Sequence, residues 1–438
     1  MQKTFKKNHL ISAVVANLKG EIFELEGYSA IGMAGSALVP LTLGETINLP
    51  FGSELMFLPD RKPILYNMLN DRIETLSENP LVPGEKIFPV AAFSSPGYVN
   101  SYITAYEEKN ATYLPLFSYG AVGWEKGKFR STSILVDKEK RQDLRLMQRE
   151  DVVDGVYRLR KKMPSNRLRA HLEKCALTYG CPAGKNFFLG RYEAPLPTSK
   201  HCNARCLGCI SLQKNDEIPN SQDRISFIPS PEEIAEVALE HILNVKNSVV
   251  SFGQGCEGDP LLAADVIGPA VQMIRAKTSH GTININTNGS RPRIVEKLFN
   301  AGLDSMRISL NSVRKECYNA YFRPQSYSFS DVLQGIDMGL DRGLFVSINY
   351  LNCPGFTDTP EEIEQLVSFI EKHPINMIQW RNLNFDPVRY WKMMNRVAKH
   401  SKPVGMKKLL KQIKKTFPNL KHGYFNPQKE KFNVKNAK

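Results

Sequence analysis

The chain has 438 residues, 42% hydrophobic and 23% charged, enough for two or three domains with real cores, and this excludes an intrinsically disordered protein. Its formal net charge of +14 lies entirely in the last 51 residues, where 15 Lys or Arg face one acid, Glu430. Eight cysteines, all between positions 175 and 353, are too clustered for a disulfide framework and point to metal in a reducing compartment.

At the N-terminal end, Lys3, Lys6 and Lys7 precede an apolar run from Leu10 to Leu18 that Ser12 and Asn17 interrupt. A membrane span needs about 20 apolar residues, and no small-residue cleavage site follows before Lys19. The expectation is a folded N-terminus, no membrane association and a cytoplasmic protein. Residues 1–150 read as a β-rich domain, with short apolar runs at Ile11–Val15, Leu55–Leu58, Phe88–Phe93 and Thr132–Val136 separated by Gly and Pro turns. Residues 151–189 read as a helical, charged connector.

From about 190 the pattern becomes strand–helix alternation. Strands are expected near 192–197, 247–252, 282–287, 304–310, 344–351 and 376–381, with helices near 231–244, 263–278, 291–301, 315–322, 329–342 and 360–372. Pro231–Glu232–Glu233 and Pro360–Glu361–Glu362 are helix starts. Six alternations imply an α/β fold with a mostly parallel sheet over 190–387, flat or curved into a partial barrel whose chemistry sits at the C-terminal strand ends. The remaining residues, 388–438, form a basic extension. It could grip RNA or an acidic protein, with Tyr390, Trp391, Phe417, Tyr424 and Phe432 available to stack on bases. The competing reading is a solvated terminal helix anchored by Trp391 and Phe417, which the helical spacing of Leu409, Leu410 and Ile413 supports.

The chemistry-bearing motif follows the first expected strand: Cys202-Asn-Ala-Arg-Cys206-Leu-Gly-Cys209. Thiolates suit iron–sulfur clusters and zinc. Three ligands in one loop can hold three corners of a cubane and leave one iron open for a small molecule. A structural zinc would need a fourth ligand, and His201, adjacent to the first cysteine, is poorly directed for that.

C-x3-C-x2-C in the loop after the first of six β/α units resembles the signature of the radical S-adenosylmethionine (SAM) superfamily, over roughly residues 190–385. The resemblance implies a partial (β/α)6 TIM-like barrel and a [4Fe–4S] cluster on Cys202, Cys206 and Cys209. It implies SAM chelated by the open iron and cleaved reductively to a 5′-deoxyadenosyl radical, with an electron donor such as flavodoxin or ferredoxin. Gly208 departs from the bulky residue often found before the third cysteine. Glu257-Gly258-Asp259-Pro260 is similar to the family's Gly-Gly-Glu-Pro turn, which meets the methionine amino group. Asn286-Thr287-Asn288-Gly289 looks like its Thr-Asn-Gly turn. Arg307, Ser309 and Asn311 share a strand face and fall where the family binds ribose hydroxyls and the methionine carboxylate. The implied cofactor-binding set is therefore Glu257, Gly258, Asp259, Asn288, Arg307, Ser309 and Asn311. Asn352 and Arg381, at the fifth and sixth strand ends, are candidates for substrate or SAM contact.

Among the other cysteines, Cys175 and Cys181 could join Cys256, Cys317 or Cys353 in an auxiliary cluster, or be ordinary buried thiols. Cys256 and Cys353 are candidates for a reactive pair of the kind that the family's RNA adenine methyltransferases use. Members with a cysteine-rich C-terminal extension, methylthiotransferases and cobalamin-dependent members are disfavoured, because no cysteine lies in 1–174 or after 353 and no Asp-x-His-x-x-Gly loop is present. The expected function is radical SAM catalysis on an unidentified substrate, RNA or protein included. The alternative is a non-catalytic iron–sulfur or zinc protein acting as a redox sensor or RNA-binding factor.

Overall fold

The computed structural model describes residues 9–213 and 217–432. The lysines at 3, 6 and 7 and the last six residues of the basic extension lie outside the described residues.

Residues 12–131 build a 13-stranded sheet in which every pairing is antiparallel, from Ser12–Ala16 at its centre to the edge strand Tyr106–Glu108. Alternation along the strands sends Ala13, Val15 and Leu25 to one apolar cluster and Val14, Ala16 and Val90 to another. Three helices follow: α1 (Arg149–Lys162), α2 (Arg167–Leu177) and α3 (Pro182–Phe188).

The second half is a parallel sheet of seven strands in sequential order: β1 (Glu193–Pro195), β2 (Val249–Phe252), β3 (Thr282–Thr287), β4 (Ser305–Leu310), β5 (Phe345–Asn352), β6 (Met377–Asn382) and β7 (Lys421–Gly423). Its helices are α4 (Pro231–Asn244), α5 (Ala264–Lys277), α6 (Pro292–Ala301), α7 (Lys315–Phe322), α8 (Phe329–Asp341), α9 (Pro360–Lys372), α10 (Pro387–Val397) and α11 (Met406–Thr416). The α4 start is a capping box in which Ser230 and Glu233 exchange hydrogen bonds with each other's backbone, with Pro231 at the first helical position.

Period two sorts the strands. Ile283, Ile285, Met306, Ile308, Val346, Ile348, Ile378 and Trp380 face the helices and form the main core. Each such aliphatic side chain contributes roughly 1.5–3 kcal/mol by leaving water. The opposite face is polar. Glu193, Ser251, Asn284, Asn286, Gln379 and Asn426 form one hydrogen-bonded network, with Asn426 Nδ2 donating to Glu193 Oε1 at 2.7 Å and Gln379 Nε2 donating to Asn426 Oδ1 at 2.9 Å.

Two expectations change here. The sheet has a seventh strand, β7, and it comes from the segment read as a basic tail. That segment is folded onto the barrel: Met406, Leu409, Leu410 and Ile413 are buried and Phe432 stacks on Phe345 at 4.3 Å. Trp391 packs against Gly35 of the N-terminal sheet, and Tyr424 lies under the Arg381 guanidinium, so these rings are spent on packing.

The N-terminal domain covers the C-terminal strand ends, in part through a two-stranded antiparallel sheet of Tyr98–Asn100 and Ser133–Leu135. Asn352 Nδ2 donates to Asn100 O at 2.8 Å, the Asn100 N–H donates to Asn382 Oδ1 at 2.9 Å, and Asn382 Nδ2 donates to Tyr98 O at 3.1 Å. Buried Arg61 reaches Asp386 at 3.1 Å, and Gly355 sits so close to Gly35 that a Cβ there would lie 1.8 Å from its nitrogen.

Candidate active site

The loop after β1 carries Cys202, Cys206 and Cys209. It is held at both ends and in the middle by backbone. Arg205 N–H and Leu207 N–H donate to Phe322 O and Tyr321 O at the end of α7, at 3.0 and 3.1 Å. Gln213 Nε2 closes the loop onto Leu207 O and Cys209 O at 3.0 and 2.7 Å. Arg224 places a guanidinium nitrogen 3.4 Å from Cys209 Sγ. Burial, with Asp259 next to it, pushes the Cys202 thiol up to about 11, and burial raises Cys206 as well.

Among the described residues the His/Cys/Asp/Glu set whose ligand atoms all lie within 4.8 Å of one another is His171, Cys175 and Cys256; the three loop thiols are not such a set. A tetrahedral zinc with bonds of about 2.3 Å would draw its sulfurs to within about 3.8 Å. The spread of the loop thiols instead suits three separate corners of a cluster. The donor set and the neighbouring cation therefore fit a three-cysteine iron–sulfur site.

The turn after β2 is pinned from below. Glu257 is buried, and its carboxylate accepts four backbone N–H bonds: from Thr198 and Ser199 on Oε2 at 2.8 and 2.9 Å, and from Gly253 and Gln254 on Oε1 at 2.6 and 2.7 Å. Burial raises it to about 7 against those donors. Gly258 passes so close to the cluster loop that a Cβ would lie 1.8 Å from His201 O. Asp259 takes the Thr287 hydroxyl at 2.8 Å and the Asn288 N–H at 2.7 Å, which ties this turn to the end of β3. Asn288 in turn donates to Asn203 of the cluster loop at 2.7 Å. The expected motif residues thus lie together around the cluster loop. The two carboxylates, however, are occupied by protein groups. Glu257, expected to contact SAM, instead anchors the turn, because both its oxygens are filled by backbone donors.

Beneath the loop lies a cavity of about 200 Å³ lined by Gly208, Tyr321, Arg307, Asn349, Arg381 and Asn384 among others, and roofed by Phe93, Ser94 and Ser118 of the N-terminal sheet. Arg307 is bonded to Gln379 at 3.0 Å, its Nε has no partner, and burial beside Arg381 lowers its pKa to about 9. Arg381 also carries an unpartnered Nε. Arg307 and Arg381, each with a spare Nε donor, face a cavity that among the described residues has no lining carboxylate, an arrangement suited to an anionic group. Ser309 lies on the same strand face and is half-buried. Asn311 is buried with its amide on Cys317 O and the Tyr390 hydroxyl, leaving Oδ1 free. Gly208 is explained locally: a Cβ there would lie 2.5 Å from the Tyr321 hydroxyl and 2.8 Å from Asn384 O, so Tyr321 occupies the room a bulky residue would need.

Two further expectations change. Asn352 is committed to Asn100 and stitches the barrel to its cover. Cys256 and Cys353 have separate surroundings: they follow β2 and β5, three strand spacings apart, with Cys353 buried near Asn100, Ser118 and Tyr119 and Cys256 grouped with His171 and Cys175. Arg224, Tyr321, Gln379 and Asn426 were missed from sequence, since each is brought in by tertiary contact and none belongs to a spaced motif.

On the other side of the cluster loop a cavity of about 700 Å³ opens beside Cys206 and Cys209. Six cations line it: Arg205, Arg224, Arg323, Arg389, Lys392 and Arg396, and among the described residues no carboxylate does. Arg389 and Lys392 are paired behind with Glu108, whereas among the described residues the other four make no ion pair.

Comparison with known proteins places this geometry in context. The sequence model of the radical SAM superfamily matches residues 196–370. A GTP 3′,8-cyclase of Marinobacter nauticus is 26% identical over 190 residues, 42% of this chain and 51% of that protein. Molybdenum cofactor biosynthesis protein 1 of Drosophila melanogaster is 26% identical over 208 residues, 47% of this chain and 34% of that protein. The chain thus spans about half the length of the first relative and a third of the second. Among solved structures, methylornithine synthase (PylB) is similar with a TM-score of 0.38 and 15% identity, covering 62% of this chain and 76% of that one.

Proposed function

Residues 196–370 belong to the radical SAM superfamily, and on that premise we propose that the chain is a radical SAM enzyme acting on a substrate that bears anionic groups. In this reading Cys202, Cys206 and Cys209 would hold the [4Fe–4S] cluster and Gly258, Asn288, Arg307, Ser309 and Asn311 would bind SAM, while Asp259, like Glu257, fixes the turns. When bound, the cluster would supply the electron for reductive cleavage of SAM. An external donor such as flavodoxin or ferredoxin delivers that electron.

The chain's own part is binding, orientation and exclusion of water. Arg307 and Arg381 neutralise a carboxylate or phosphate inside the barrel, the turns at Gly258 and Asn288 fix the loop, and the N-terminal sheet shields the mouth.

The observation that carries the substrate class is the cavity of about 700 Å³ beside the cluster loop, lined by six cations and, among the described residues, by no carboxylate. The cover over the strand ends favours a small molecule over a folded RNA or protein. A nucleotide fits this chemistry, and GTP is the first to test, because relatives named GTP 3′,8-cyclase match the same half of the chain.

The test is anaerobic reconstitution of the full chain. Native protein should take up about four irons and four sulfides with a broad absorption near about 400 nm, and Cys202→Ala, Cys206→Ala or Cys209→Ala should lose most of it. Reduced protein with SAM should release 5′-deoxyadenosine, faster with GTP or another nucleotide, and Arg205→Ala with Arg323→Ala should raise KM for that substrate at full iron content. Protein that carries zinc alone refutes the cluster assignment. Loaded, SAM-binding protein that yields no 5′-deoxyadenosine with nucleotide, RNA or peptide returns the redox-sensor reading.

A further inference from the structure

Away from the cluster loop, a second group of metal-ligating side chains joins the connector helices to the barrel. His171 and Cys175 are four residues apart on α2 and share a face, with a ring nitrogen 3.5 Å from Cys175 Sγ. Cys256 arrives from the turn after β2, 81 positions further along the chain, and the three ligand atoms all lie within 4.8 Å of one another. Cys181 caps α3 next to them, its N–H donating to Cys175 O at 3.0 Å. The sulfur of Cys181 is not among the atoms so grouped, which are those of His171, Cys175 and Cys256.

We propose that His171, Cys175 and Cys256 form the core of a site for one tetrahedral divalent ion of the zinc class, independent of the radical chemistry, with Cys181, whose sulfur lies outside the 4.8 Å group, turning in as the fourth ligand. Zinc bonds of about 2.3 Å to sulfur and about 2.0 Å to nitrogen set ligand atoms about 3.5–3.8 Å apart, so the observed grouping needs shifts of about 1 Å to close. A cubane would instead spread its ligands over separate irons, as the loop thiols 202, 206 and 209 are spread; the same distance criterion that leaves those three out gathers these three in. Three thiols and a neutral imidazole would bind the ion with release of three protons, giving a site of net charge −1. Lys174, whose pKa Asp223 raises, and Lys185 lie nearby.

The position gives the ion a structural role. Cys256 immediately precedes Glu257, Gly258 and Asp259, and its carbonyl accepts the Ile225 N–H at 2.8 Å. An ion here would strap α2 and α3 to the turn that abuts the cluster loop.

The experiment uses the full chain, purified anaerobically with reductant, with zinc measured by elemental analysis and Co(II) exchanged in as a spectroscopic probe. The expected result is about one zinc or cobalt per chain, with thiolate-to-cobalt charge-transfer and intense tetrahedral d–d bands. These should persist in the Cys202→Ala/Cys206→Ala/Cys209→Ala variant and vanish in Cys175→Ser/Cys256→Ser. His171→Gln, at a half-exposed position that should leave folding intact, should shift the cobalt bands and weaken zinc retention at least tenfold. Three results overturn the site: no retained divalent ion, sulfide-bearing iron that survives in the triple alanine variant, or a Cys175–Cys256 disulfide in the freshly isolated protein. Loss of the loop cluster with zinc intact would count against the proposed enzyme function alone.

Discussion

Gly258→Ala tests how the cluster loop is positioned. The added Cβ would lie 1.8 Å from His201 O, 2.3 Å from its carbonyl carbon and 3.1 Å from Cys202 N, whereas real Cβ contacts are not found below 3.0 Å. All three obstacles are backbone, so the turn and the loop must part. Parting breaks Gly258 N–H to Ser199 O at 2.6 Å and Asp259 N–H to His201 O at 2.9 Å. Two hydrogen bonds at about 1 kcal/mol each, plus overpacking of about 1–3 kcal/mol, give a loss of about 3–5 kcal/mol. That is a large share of a total of about 5–15 kcal/mol, yet short of abolishing the fold. Gly268→Ala is the control: it sits inside α5 with Leu298 Cδ2 at 3.8 Å, an ordinary contact, and should be neutral or stabilising by up to about 1 kcal/mol. Urea denaturation of the apo chain and iron content after reconstitution are the two readouts. A Gly258→Ala protein within 1 kcal/mol of the parent, by the about 0.5 kcal/mol scatter of surface changes, and carrying full iron would refute the close-approach argument.

Arg61→Leu should cost about 3–5 kcal/mol in chemical denaturation, because it takes the nearer cation from buried Asp386 and leaves only Arg389 at 3.6 Å, and Arg61→Leu/Asp386→Asn should recover part of that loss. Burial holds His241 neutral, with its pKa lowered to about 4 from 6.5. The unfolded chain therefore takes up a proton that the native one refuses. Its contribution is intact above pH 6.5 and is lost as pH falls from 6.5 toward 4, by about 3 kcal/mol. Thermal midpoints of the parent and His241→Gln should converge over that window, and parallel profiles would exclude it. Deleting residues 401–438 should abolish cooperative unfolding, since it removes α11, β7 and Asn426; a truncated chain that still folds and loads iron would restore the view of the segment as a detachable polyanion-binding tail.

The barrel was readable because its signals are local and repeated. Pro231 with two acids marks the start of α4, and polar–apolar alternation in Thr282–Thr287 marks β3. The cluster motif was readable because three like ligands fall within eight residues. What sequence could not show is set by distance. β7 is three residues long, Lys421–Gly423, with no apolar run, and only its neighbour β6 makes it a strand. Glu257 and Asp259 differ by two positions, and nothing local says that four backbone donors await one of them. Asn352 looks like any strand-end polar residue until Asn100 of the other domain arrives to meet it. His171 and Cys256 become neighbours by folding alone, for no spacing rule links them.

The hydrogen bond from Asn426 to Glu193 spans 233 positions and joins the last-made part of the barrel to its first strand. Loop-closure entropy makes such distant contacts slow to form, and chains emerge N-terminus first. During synthesis the antiparallel cover, whose strands all lie before residue 136, can therefore settle while the barrel behind it still lacks its final strand. The polar interior around Glu193, Ser251 and Asn286 stays unsealed until Asn426 has been made and reaches it, so the roof of this active site is built before its floor.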